Sequence, residues 1–66
     1  MRWNVVFHIA NYKVVDEFRS EREALESLFA TVKWHRTTGW HVTENSEWKY
    51  TFKKRSNERI IEVQRA

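Results

Sequence analysis

The chain has 66 residues, with 12 basic and 9 acidic side chains for a formal net charge of +3, one glycine, and neither proline nor cysteine. That length allows one domain, 1–66, with a thin stability margin. The missing cysteines exclude disulfides and thiolate metal sites.

The first segment alternates. Trp3, Val5, Phe7 and Ile9 fall on one side and Asn4, Val6, His8 and Ala10 on the other, the period of a half-buried strand. Ala10-Asn11 offers a tight turn, with Asn expected to take a positive φ. Tyr12 to Phe18 reads as the returning strand, its pattern interrupted by Asp16 and Glu17.

Ser20-Glu21-Arg22-Glu23 fits a capping box, in which the serine hydroxyl satisfies a free helix amide. Leu25, Leu28, Phe29 and Val32 follow at helical spacing and predict the buried stripe. Glu21, Glu23 and Glu26 lie near the positive end of this helix, and Lys33, His35 and Arg36 near its negative end. Gly39 is the expected stop.

Beyond the glycine the period returns to two. Trp40 and Val42 alternate with His41 and Thr43; Trp48, Tyr50 and Phe52 alternate with Lys49, Thr51 and Lys53; Ile61 and Val63 alternate with Glu62 and Gln64. Asn45-Ser46 and Arg55 to Glu58 are the expected turns. The order is ββαββ, with a fifth strand if residues 40–43 pair. It predicts an α+β fold: a mainly antiparallel sheet with one amphipathic helix on one face.

The predicted inward faces hold more apolar surface than one helix shields. A helix about 10 Å wide covers two or three strands spaced about 4.8 Å apart. Three outcomes remain open: a strongly curled monomer, a homodimer, or a patch for another protein. Trp34, Trp40 and Trp48 are the aromatics expected at an exposed edge.

The charge is uneven along the chain. Residues 1–32 balance to −1 and residues 33–66 to +4. Lys49, Lys53, Lys54, Arg55 and Arg59 cluster on the C-terminal hairpin and form the candidate partner-binding patch. As a plain solubilising edge they resist aggregation; as a site they suit phosphates or an acidic protein surface. The alternation sends Trp48, Tyr50 and Phe52 to one side and Lys49 and Lys53 to the other, unlike a base-stacking platform.

No catalytic, cofactor or metal site is expected. His8, His35 and His41 lack the spacing of a zinc site. Asp16 and Glu17 are adjacent and point to opposite faces of a strand. Ser20 is explained as a cap, and one glycine cannot build a phosphate loop. No apolar run approaches the roughly 20 residues that span a bilayer. The N-terminal stretch is too short and too polar for a secretory signal, and without cysteine a reducing cytoplasm is the simplest expected compartment.

Trp3 with Val6, the helical stretch EALESL from Glu23 to Leu28, and GWHVT from Gly39 to Thr43 resemble the small bacteriophage inhibitors of host RNA polymerase. The likeness covers roughly residues 3–43. It implies a non-catalytic module that acts by protein–protein contact on a host protein. Where that family carries polymerase-contacting arginines, this chain has Glu44, Asn45 and Ser46. The alternatives are a nucleic-acid-binding domain using the open face of the 48–63 hairpin, and a homodimeric accessory protein.

Overall fold

A computed structural model describes residues 2–66. The chain forms β1 (Trp3–Ile9), β2 (Tyr12–Phe18), α1 (Glu21–Thr37), β3 (His41–Asn45), β4 (Lys49–Lys54) and β5 (Asn57–Arg65). The strands make one sheet in the order β2-β1-β5-β4-β3, antiparallel throughout. The α+β class and the ββα start are as expected, and the residues after Gly39 do pair as a fifth strand.

Alternation fixes which side meets the helix. Val5 stands beside Val63 and Phe7 beside Ile61, while Tyr50 also neighbours Ile61. One core therefore joins Val5, Phe52, Ile61 and Val63 of the sheet to Ala24, Leu28 and Val32 of α1. Trp48, Tyr50 and Phe52 pack toward this core, and Lys49 and Lys53 point away, as the sequence pattern predicts.

The helix begins as read. Ser20 takes an extended backbone, and its hydroxyl accepts from the Glu23 amide at 3.2 Å. Its buried face is rotated from the predicted stripe, however. Ala24, Leu28, Val32 and His35 are buried, Leu25 is half-buried, and Phe29 is 50% exposed. Ala24 at the contact point lets the helix backbone lie close to the sheet, which turns Phe29 to the flank.

Part of the surplus aromatic surface is covered within the chain. Trp3 and Trp48 flank β5 and stack with ring centroids 5.5 Å apart. Each ring covers the other where the helix does not reach, a favourable offset arrangement. Trp40, expected at an exposed edge, is instead buried at 8% exposure, because the helix cap turns its ring inward. Trp48 is half-buried, and of the three only Trp34 is largely exposed.

β2 shows why its pattern reads poorly. It is an edge strand with both faces exposed along most of its length, so nothing selects for alternation there.

Both two-residue hairpin loops place a positive φ on their first residue: Ala10 at 51° and Arg55 at 58°. The expected residue, Asn11, does not carry it. This sign pattern is that of a type II′ turn, which favours glycine at that position. Left-handed backbone costs a residue with a Cβ about 1–2 kcal/mol. Ala10→Gly and Arg55→Gly are therefore each expected to stabilise the fold by about 1 kcal/mol, read as a higher urea midpoint at unchanged slope.

Candidate functional site

Three chain connections gather at one end of the sheet. They are the β1–β2 turn, the β4–β5 turn and the passage from α1 into β3. The register places them together, since Ile9 and Phe52 both neighbour Arg59, and Val42 neighbours Phe52. The β2–α1 joint and the β3–β4 connection lie at the opposite end.

This arrangement sorts the charges. Lys13, Lys33, Arg36, Lys53, Lys54, Arg55 and Arg59 belong to the hairpin end, with Glu58 the one carboxylate among them. The remainder of the molecule holds Arg2, Arg19, Arg22, Lys49 and Arg65 against Asp16, Glu17, Glu21, Glu23, Glu26, Glu44, Glu47 and Glu62. A chain of net +3 is thus divided into an end of +6 and a remainder of −3. A field of that asymmetry draws and orients anionic partners.

The helix cap anchors the centre of this end. Gly39 has φ 92°, a left-handed residue just past the helix. The Thr38 amide donates to Trp34 O at 3.1 Å, and the Trp40 amide donates to His35 O at 2.9 Å. That second bond is the long closure of a Schellman motif, and it brings the Trp40 ring against His35, edge to face with centroids 5.5 Å apart. Lys54 Nζ donates to the Thr38 carbonyl at 2.8 Å and supplies a cation to the negative end of the helix.

His35 is buried and holds three neighbours in place. Its Nδ1–H donates to Thr31 O at 2.7 Å, which leaves Nε2 to accept from Arg59 Nη1 at 3.2 Å. Its ring stacks on Phe52 at 4.5 Å. The Arg59 guanidinium lies 4.4 Å above the Trp40 ring, within cation–π range. Burial pushes the imidazole below its usual pKa; the Thr31 bond opposes that and the Arg59 charge adds to it. The neutral imidazole is thus the form that fits.

Beside Arg59 lies an open notch of about 600 Å³, lined in part by His8, Ala10, Trp40, Ser56 and Glu58. It exists because β5 runs on to Asn57 where β1 has already turned away. Among the described residues no cluster of three His, Asp or Glu side chains is placed to hold a metal ion.

The five residues of the expected basic patch do not form one surface. Lys49 sits at mid-sheet opposite Glu62, and Lys53 Nζ is 3.9 Å from Glu58. The open face of the 48–63 hairpin is therefore mixed in sign. Arg59 points to the helix side over Trp40, and Arg55 is at the turn. Lys13, Lys33 and Arg36 join the site from elements far apart in sequence, and Tyr12 and Trp34 accompany them at 61% and 53% exposure.

Compared with known proteins, the chain matches no family model, no curated protein and no solved structure. No helix among the described residues is long and apolar enough to cross a membrane.

Proposed function

We propose that this protein is a small non-catalytic binding module that docks its cationic end on a nucleic-acid backbone. The observation that supports this reading is the gathering of seven basic residues around a single carboxylate at the hairpin end. Phosphates lie at regular short spacing along a nucleic acid, and lysines and arginines on several adjacent loops contact them by displacing counterions. Tyr12 and Trp34 add aromatic faces at the same end, suited to sugar or unstacked bases.

Binding is expected to weaken steeply with salt. If about five phosphates are neutralised, log K falls against log salt with a slope of about −4 to −5. The triple variant Arg36→Ala/Lys53→Ala/Arg55→Ala leaves the Lys54–Thr38 and Arg59–His35 contacts intact. It is expected to lower that slope by about 3 and to weaken binding to all sequences alike. Fluorescence anisotropy with a labelled oligonucleotide measures both. No binding at low salt, or binding indifferent to salt, contradicts the reading.

A second reading has its own support. Phe29 and Trp34 are half exposed on the flanks of α1, and aromatic anchors of this kind serve protein contacts. With the resemblance to phage polymerase inhibitors, this favours an acidic surface of a host protein as the partner. Competition separates the two: nucleic acid displaces a protein bound at the cationic end, but not one bound through Phe29, which lies nearer the start of the helix.

A further inference from the structure

The two edges of the sheet are treated differently. At one edge β3 has only five residues, and a bulge interrupts its register between Val42 and Glu44. Short length and bulges are devices that discourage further pairing. At the other edge β2 has seven residues in unbroken register with β1. It also carries three of the five exposed large hydrophobic residues, namely Tyr12, Val14 and Val15. Among the described residues nothing covers this edge.

The backbone of β2 has a defined outward set. The pair Ile9–Tyr12 closes a two-residue hairpin and so exchanges both hydrogen bonds. Tyr12, Val14, Asp16 and Phe18 consequently bond to β1. The same alternation is continued across the sheet, where Ala66 N donates to Arg2 O and Val63 N donates to Trp48 O. Lys13, Val15 and Glu17 therefore direct their N–H and C=O groups away from the sheet.

We infer that β2 pairs antiparallel with β2 of a second copy, centred on Val15, to give a continuous ten-stranded sheet. The sequence YKVVDEF is close to self-complementary about that centre. Val15 meets Val15, each Lys13 meets a Glu17, and each Tyr12 meets a Phe18. Only the Val14–Asp16 pairs bring unlike groups together. Opposite charges and aromatic pairs directly across an antiparallel ladder favour the pairing, and like charges oppose it. A centre at Val14 would set Tyr12 against Asp16, and a centre at Asp16 would set two carboxylates face to face.

The outward set must face itself, so the twofold axis runs perpendicular to the sheet and both helices lie on one side. Glu17 already accepts from Arg2 Nη1 at 2.9 Å, and Lys13 of the second copy adds a second cation to that carboxylate. Antiparallel pairing also sets the +6 end of each copy beside the −3 remainder of the other. The two cationic ends then stand at opposite extremes of the dimer.

Sedimentation velocity over a concentration series tests the pairing. Wild type is expected to approach twice the monomer mass as concentration rises. Lys13→Glu sets a new carboxylate against Glu17 of the second copy, and Glu17→Lys sets a new ammonium group against Lys13. Each variant alone is expected to raise the dimer Kd about tenfold or more, and an equimolar mixture of the two is expected to restore the doubled mass. Val15→Pro removes an outward N–H that β1 does not use, so it is expected to keep the wild-type circular dichroism and to remain monomeric. A wild type of single mass at every concentration overturns the inference, as does a dimer that all three variants leave unchanged.

Discussion

Phe52→Ala is expected to leave the protein largely unfolded at room temperature. Phe52 is fully buried in the core between the sheet and α1. It stacks on His35 from the helix and on Tyr50 at 6.1 Å along its own strand. Truncating a buried phenylalanine costs about 3–5 kcal/mol through lost transfer energy and the cavity left behind. A domain this small seldom holds more than about 5 kcal/mol in total. Phe29→Ala is the matched control, since that ring is half exposed and its loss is expected to cost about 1 kcal/mol or less. Near-ultraviolet circular dichroism and thermal melts of the two variants read the difference. Equal effects would mean that Phe29, not Ala24, faces the sheet.

Acid is expected to loosen the cationic end through His35. Folding lowers the pKa of this imidazole, chiefly by burial. The unfolded chain therefore binds its proton more readily than the folded one, from an ordinary value of about 6.5 downward. By linkage, stability rises with pH across that interval. The contribution is fully present above pH ~6.5 and is lost progressively as pH falls through the folded-state value. Protonation also sets two cations together, because Nε2 can no longer accept from Arg59. The melting temperature is expected to fall as pH drops from neutrality toward about 5. His35→Gln, which carries no titrating ring, should show a shallower dependence over the same interval at lower overall stability. An unchanged slope would place the acid sensitivity elsewhere.

Elements with one wet and one dry side were legible in the sequence. β1, β4 and β5 turn alternate apolar residues to the helix, so their period of two is plain although Val6 and Thr51 on the opposite face are buried as well, and the segregation of Trp48, Tyr50 and Phe52 from Lys49 and Lys53 followed directly. The start of α1 was legible because Ser20 caps it through a local bond, and its end because Gly39 closes a local motif. The helix rotation was not, since two adjacent stripes include Leu28 and Val32. The choice between Ala24 and Phe29 depends on how closely the helix lies on the sheet. Trp40 was misplaced for a related reason: alternation gave it a face, while its burial comes from the turn at Gly39 and from His35 and Arg59.

The site was harder to read than the fold. Linear clustering pointed to Lys49, Lys53, Lys54, Arg55 and Arg59, yet β-pairing sets Lys49 beside Glu62 and sends Arg59 to the other face. Lys13, Lys33 and Arg36 are scattered in sequence and meet only because three connections share one end of the sheet. A lysine beside a turn carries no signal by itself. Its significance depends on the strand order, which joins β1 to β5 and could not be deduced from periodicity.

The most direct test of the cationic end is a nuclear magnetic resonance titration of the labelled protein with a short duplex at low salt. Amide shifts are predicted to concentrate in residues 10–13, 33–41 and 53–59. Shifts centred instead on Lys49, Thr51 and Glu62 of the open sheet face, or none at all, would contradict the account.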